Sequence, residues 1–212
     1  MLENKLYSPL QKRYWRNAGR ALRSVRWLTT AALLTAARIA LGSLFIPVGE
    51  ASRIYISFFA TALCAILCGP WLSGISGFTA DILGYLLFPS GAFFPGYTLT
   101  AILSGMLYAL FFYRRPITLL RVFLAKASVN LFINVLLGSV WSAMMFGKAY
   151  YYYFAKNLIK NALMCPLETL LLFLFLKAIL PILARMKMIP PEQGKVGLFR
   201  AATPSGEKPA AL

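Results

Sequence analysis

The residues able to do chemistry in this chain are few, and their types narrow its function. Six acids stand against 22 lysines and arginines, and there is no histidine. Without histidine the chain lacks the commonest general base, the commonest metal ligand and the usual activator of a serine or cysteine nucleophile. Glu3, Glu192 and Glu207 lie in the terminal segments, whereas Glu50, Asp81 and Glu168 fall among apolar runs, where a carboxylate needs a cation or hydrogen-bond donors. Asp81 is the only aspartate, which leaves no pair for aspartyl-protease chemistry. Cys64 and Cys68, four apart on one helix face, make a poor zinc site without histidine or a nearby acid, and read as small buried hydrophobes. No glycine-rich phosphate loop of the Walker type is present, so ATP hydrolysis is not expected of this chain. No catalytic residue and no metal ligand is assigned. Binding is the chemistry that remains.

Arg38 is the first candidate. It stands near the middle of an apolar run, where an arginine costs about 2.5–3.5 kcal/mol on insertion scales and must face protein or water. Its planar fork suits paired hydrogen bonds and stacking on rings. A structural pairing with Asp81 or a backbone carbonyl is the alternative. Asp81 bonds a ligand's amino group or neutralises Arg38. Asn130 and Asn134, at i and i+4, share a helix face with Lys126 one turn earlier, and either line a site or join helices. The segment Phe88-Pro89-Ser90-Gly91-Ala92-Phe93-Phe94-Pro95-Gly96-Tyr97 holds two prolines, two glycines and four aromatic residues. It reads as a compact cap able to close over a flat ligand by stacking. Ala32, Ala36 and Ala40 form a smooth stripe at i, i+4 and i+8, of the kind that lets another helix approach, from within the bundle or from outside it.

These groups are carried by elements that only a bilayer accommodates. The chain is 59% hydrophobic and 13% charged, about half the charged share of ordinary soluble proteins, and its apolar residues come in long blocks. A span needs about 20 apolar residues, and six runs are read as helices of a bundle: about 28–45, 54–68, 71–88, 97–113, 118–146 and 151–183. Gly69-Pro70 turns the second into the third, and Pro166 is a place for the sixth to bend. The expected fold is all-α, an integral membrane bundle of six transmembrane helices. Residues 1–27 form a basic, partly amphipathic segment facing lipid headgroups, 28–185 the membrane domain, and 186–212 a disordered tail rich in proline and glycine. The basic N-terminal segment, the Arg114-Arg115 loop and the basic tail fall on one side of a six-helix bundle, which places both termini in the cytoplasm. Charge beside apolar runs is a topology signal, so nucleic acid is excluded as a partner despite the net charge of +16.

Several stretches resemble one known family. They are Ala31-Ala32-Leu33-Leu34-Thr35-Ala36-Ala37-Arg38-Ile39-Ala40-Leu41-Gly42 with Phe45-Ile46-Pro47, then Ala80-Asp81-Ile82-Leu83-Gly84-Tyr85, then the aromatic cap through Thr98, and last the run from Asn130 to Trp141. On these the chain resembles the folate-binding members of the substrate-binding subunits (S components) of energy-coupling factor transporters, over about residues 28–185. The resemblance implies a bacterial cell-membrane protein whose outward pocket is capped by the loops after helices 1, 3 and 5. It implies folate as ligand, met by Arg38 and by Pro95, Gly96 and Tyr97, and docking of Ala32, Ala36 and Ala40 on a transmembrane coupling protein. It further implies two partner ATPases that use ATP, with no cofactor held by this chain. A subunit for riboflavin or thiamine, or a non-catalytic membrane scaffold, is the alternative.

Overall fold

The computed structural model describes residues 6, 9–43, 45–47, 53–89, 93–147 and 149–197. Helix α1 (Lys12–Ala21) lies against the bundle, and α2 (Val25–Ser43) follows it after a tight turn. A short antiparallel ribbon comes next, β1 (Phe45–Pro47) on β2 (Arg53–Tyr55), with Phe45 opposite Tyr55 and Pro47 opposite Arg53. Then come α3 (Phe58–Leu87), α4 (Pro95–Phe112), α5 (Leu119–Ser128), a π-helical stretch (Val129–Leu137), α6 (Gly138–Phe146) and α7 (Tyr150–Arg185). Four helical units are long and apolar enough to cross a membrane: α3, α4, the continuous unit Leu119–Met145, and α7. Their outer faces present large side chains such as Leu83, Phe132, Ile159, Leu163 and Leu174. This is a multi-pass membrane protein, because such an exposed face is stable only against lipid.

The expected Gly69-Pro70 break occurs inside α3. Gly69 has φ 79° and ψ −177°, a conformation that disfavours a side chain, and Pro70 offers no N–H to continue the ladder. Thr61 shares a cavity with Tyr97 and Thr100 of α4, while Asp81 bonds Thr98 of the same stretch of α4. In an unbroken helix Thr61 and Asp81 would be about 30 Å apart, so the chain folds back at Gly69 into two arms. The second arm meets α4 backbone to backbone: a Cβ on Gly77 would strike the Ala101 carbonyl, and one on Gly105 the Ser73 carbonyl. Thr35 on α2 and Ser76 on this arm share a 2.6 Å hydrogen bond. α7 continues as one helix through both Pro166 and Pro181.

The all-α expectation stands for the described residues, with the short two-stranded ribbon after α2 as a local addition. One expectation is corrected. Residues 186–212 were expected to be disordered throughout, yet the part up to Gly197 is ordered. A 3-10 turn (Pro191–Gly194) follows α7, with Ile189 and Gln193 buried. Gln193 donates to the Phe112 carbonyl at 2.7 Å. The Gly197 amide donates to Ile117 at 3.3 Å, and its carbonyl accepts from Leu119 at 3.2 Å. Composition argues for disorder here, but these tertiary bonds tie the segment to the α4–α5 turn. Residues 198–212 lie outside the described residues, as do Glu50, Lys148 and the cap's Ser90, Gly91 and Ala92.

Candidate functional site

A cavity of about 460 Å³ opens between α2, the start of α3, α4, the α5–π–α6 unit and α7. Three helices line it with rows at helical spacing. Tyr97, Thr100, Ser104 and Tyr108 descend one face of α4. Lys126, Val129, Ile133, Asn134, Gly138 and Ser142 follow the middle unit, and Asn157, Lys160, Asn161, Met164 and Glu168 follow α7. Intervals of three and four residues put each row on one side of its helix. Arg38 enters from α2, and Ser57, Phe58 and Thr61 from the first arm of α3.

The floor is an ion pair between helices. Lys126 Nζ is 3.1 Å from Glu168 Oε2, with the two side chains 5% and 15% exposed. Asn130 donates to the same oxygen at 3.3 Å, and Asn134 donates to Asn130 Oδ1 at 3.0 Å. The Lys126 ammonium also lies 4.2 Å from the centre of the Phe58 ring. The π-helical stretch coincides with Asn130 and Asn134, and such widened turns recur at functional sites. Higher in the cavity Asn157 donates to Ser139 at 3.0 Å, and Trp141 donates through its indole N–H to Thr100 at 3.1 Å. Phe94 packs beside that end, its ring centroid 5.6 Å from Trp141 and 6.0 Å from Tyr97.

The candidate residues fall into three groups. Arg38, Tyr97 and Asn134 line the cavity, and Asn130 joins it through Glu168 and Asn134. Pro95 opens α4, and Gly96 follows where a Cβ would collide with the Phe94 and Trp141 rings, so glycine there lets the aromatic end close. Asp81 stands apart. It accepts a 2.6 Å hydrogen bond from Thr98, is not among the cavity's lining residues, and feels Arg38 only through longer-range electrostatics. Ala32, Ala36 and Ala40 are exposed on α2, the first two beside a smaller apolar groove of about 300 Å³ shared with the second arm of α3.

Sequence reasoning noted Glu168 and Lys126 without placing them in a site, and overlooked Thr100, Ser104, Asn157, Lys160 and Asn161. The signal was present as polar residues at intervals of three and four within apolar runs.

A helical membrane bundle with a ligand-sized, polar, aromatic-capped cavity belongs to the class of solute-capturing membrane proteins. The chain belongs to the family of ECF transporter substrate-specific components, whose model matches residues 26–186. It is similar to the folate transporter FolT of Clostridium novyi (strain NT), 36% identical over 121 residues that span 57% of this chain and 70% of that protein. It is also similar to the folate transporter FolT of Leuconostoc mesenteroides subsp. mesenteroides, 30% identical over 122 residues, 55% of this chain and 66% of that protein. Among solved structures it is similar to FolT bound with folic acid, with a TM-score of 0.64 and 28% identity over 71% of this chain and 92% of that one.

Proposed function

We propose that this chain is the folate-binding membrane subunit of an ECF-type vitamin uptake transporter. It captures folate outside the cell and releases it inward after docking on a transmembrane coupling protein driven by two ATPases. It binds and carries out no reaction. Six spans and cytoplasmic termini fit this reading: the break at Gly69 supplies two of the spans, alongside α2, α4, the α5–π–α6 unit and α7. The basic α1, Arg114, Arg115 and the segment after α7 gather at one end, as the Tyr14–Tyr113 and Gln193–Phe112 contacts require.

The observation that carries the ligand assignment is the chemistry of the cavity. Folate combines a flat ring bearing amino and amide donors with anionic carboxylates. Tyr97 offers a ring at one end, with Phe94 and Trp141 packed behind it, and Arg38 and Lys160 offer cations along the wall. Among the described residues both contacts to Glu168 fall on Oε2, which leaves Oε1 for a donor of the ligand. The volume lies within the usual range for small-molecule sites, roughly 300–1,000 Å³. Ala32, Ala36 and Ala40 are the surface assigned to the coupling protein, because exposed small residues let a partner helix come close.

Titration of folate into the purified chain tests this, with tryptophan fluorescence as the readout. Trp141 reaches the cavity through Thr100, whereas Trp71 packs on Trp15 at the other end, so quenching is expected to persist in Trp71→Phe and vanish in Trp141→Phe. Saturation at one folate per chain supports the reading. A folded sample that ignores folate and answers to riboflavin or thiamine retires folate and keeps the fold.

A further inference from the structure

Helix α1 lies outside the stretch the family model matches, and nothing in the transport function accounts for it. It is not a loose extension. Tyr14, Asn17, Ala18 and Ala21 are buried, the Tyr14 hydroxyl donates to the Ala109 carbonyl at 2.8 Å, and the Tyr14 ring meets Tyr113 edge-on at 5.3 Å. One face is therefore fastened to the bundle. The other is cationic: Lys12, Arg13, Arg16 and Arg20 on the helix, with Arg23 and Arg26 just beyond, are all exposed.

Among the described residues this charge has no counterion. No acid occurs between Glu3 and Glu50. The one ion pair among the described residues is Lys126–Glu168, far from this face. Arg13 and Arg16, Lys12 and Arg16, and Arg16 and Arg20 are spaced three or four apart, where like charges repel and weaken a helix. A helix built this way is stable against an anionic surface that neutralises it.

The neighbours of the cations identify that surface. Trp15 packs on Trp71 at 5.8 Å, and Trp71 is 44% exposed. The Arg26 guanidinium lies 5.7 Å from the Trp27 ring. Tryptophans concentrated at one level mark the boundary between acyl chains and headgroups. Leu10 and Val25, at either end of the basic stretch, are 96% and 75% exposed. Exposed apolar residues flanking a row of arginines fit a lipid interface, where the former enter the acyl boundary and the latter meet phosphates. We infer that α1 is an anionic-phospholipid binding surface, docked on the bundle through Tyr14 and presenting its arginine row to lipid phosphates at the membrane face.

The test uses the full chain reconstituted in phosphatidylcholine vesicles. Acyl-brominated phosphatidylglycerol quenches Trp15 and Trp71, and competition against phosphatidylcholine gives the selectivity. Each cation near an anionic surface is expected to contribute about fivefold. Wild type should therefore prefer phosphatidylglycerol at least tenfold in low salt, with the preference fading at high salt. Arg13→Gln/Arg16→Gln/Arg20→Gln should lose at least tenfold in selectivity and keep its folate affinity. Arg13→Lys/Arg16→Lys/Arg20→Lys, which conserves charge, should retain selectivity and serves if the glutamine variant fails to fold. Three results overturn the inference: a wild type that does not distinguish the two lipids, a glutamine variant as selective as wild type, or displacement of the lipid by millimolar glycerol phosphate. The last would make the surface a soluble-anion site. Capture of an acidic peptide without lipid selectivity would overturn it in favour of a protein partner.

Discussion

Replacing Glu168 with alanine strands the Lys126 ammonium inside the bundle. The two groups are 3.1 Å apart with side chains 5% and 15% exposed, so neither has ready access to bulk water. Removing one partner of a buried pair costs about 3–5 kcal/mol, because the survivor is left charged and uncompensated. The lower figure applies here. The Phe58 ring, 4.2 Å from the ammonium, stays in place, and a desolvated cation–π contact is worth up to about 2 kcal/mol. At about 2–4 °C per kcal/mol for a chain of this size, a loss of about 3 kcal/mol lowers the thermal midpoint by about 6–12 °C. Lys126→Met isolates the carboxylate, with only Asn130 left to donate at 3.3 Å, and should cost a similar amount. The double variant Lys126→Met/Glu168→Met removes both ions, and replacing a buried pair by apolar residues is often neutral. It should recover at least half of either loss. Differential scanning fluorimetry in detergent measures the three midpoints, and folate titration follows on the same samples. The double variant is expected to fold and to bind folate at least tenfold more weakly. Additive destabilisation would refute the pairing. A double variant that binds folate like wild type would remove both side chains from the ligand site.

Three further outcomes are expected. Arg38→Ala should weaken folate binding by about 10–150-fold, the equivalent of a charge-assisted hydrogen bond of about 1.5–3 kcal/mol; unchanged affinity in the titration excludes Arg38 from the site. Ala36→Trp should leave folate affinity within about twofold while abolishing uptake by vesicles that contain the ATPase module, and uptake at the wild-type rate would dismiss the alanine stripe as the docking face. Tyr14→Phe loses its hydrogen bond to Ala109, about 1 kcal/mol at neutral pH, and should also change the alkaline limb of stability. Burial first, then Tyr113, hold the Tyr14 phenol above its ordinary value of 10.0, with Arg115 opposing. Folding thus favours the protonated phenol, so this stabilisation is complete below pH 10 and is lost as pH rises toward the folded value. Phenylalanine should flatten that decline, and identical slopes would assign it to another group.

The parts of this fold visible in the sequence are those governed by local physics. Long apolar runs announced the helices, and Gly69-Pro70 announced the turn, since few other pairs reverse a chain so abruptly. Arg38 was conspicuous because a charge in the middle of an apolar run has few tolerable surroundings. What escaped depends on partners remote in sequence. Asp81 suggested a cation nearby, yet its hydrogen bond comes from Thr98 on the next helix, and no local pattern distinguishes the two. The ribbon of three-residue strands is too short to carry a periodic signal. Gln193 lies in a proline-rich stretch whose composition argues for disorder, while its partner Phe112 is 81 residues away. The polar row on α7 is different in kind. Asn157, Lys160, Asn161 and Glu168 keep helical spacing and were legible in principle, but they are spread over 12 residues of a long apolar run, where each reads singly.

Helix α2 brings the two ends of the proposed transport cycle onto one rigid element. At about 100° per residue, Arg38 points about 200° away from both Ala36 and Ala40. The guanidinium thus lines the cavity while the alanines remain exposed on the opposite side. These faces make contradictory demands. A ligand contact needs a long, charged side chain in a polar cavity, and a helix-docking surface needs small residues that allow close approach in lipid. Half a turn of helix satisfies both without compromise. The same rod is joined to the second arm of α3 by the Thr35–Ser76 hydrogen bond. Occupancy at Arg38 can bias docking at the alanines only to the extent that folate binds one position of this rod more tightly than another. The affinity of the coupling protein must then depend on folate by the same factor that folate's affinity depends on the coupling protein. Under the proposed function, that reciprocity makes α2, rather than either site alone, the element on which ligand capture and energy coupling meet.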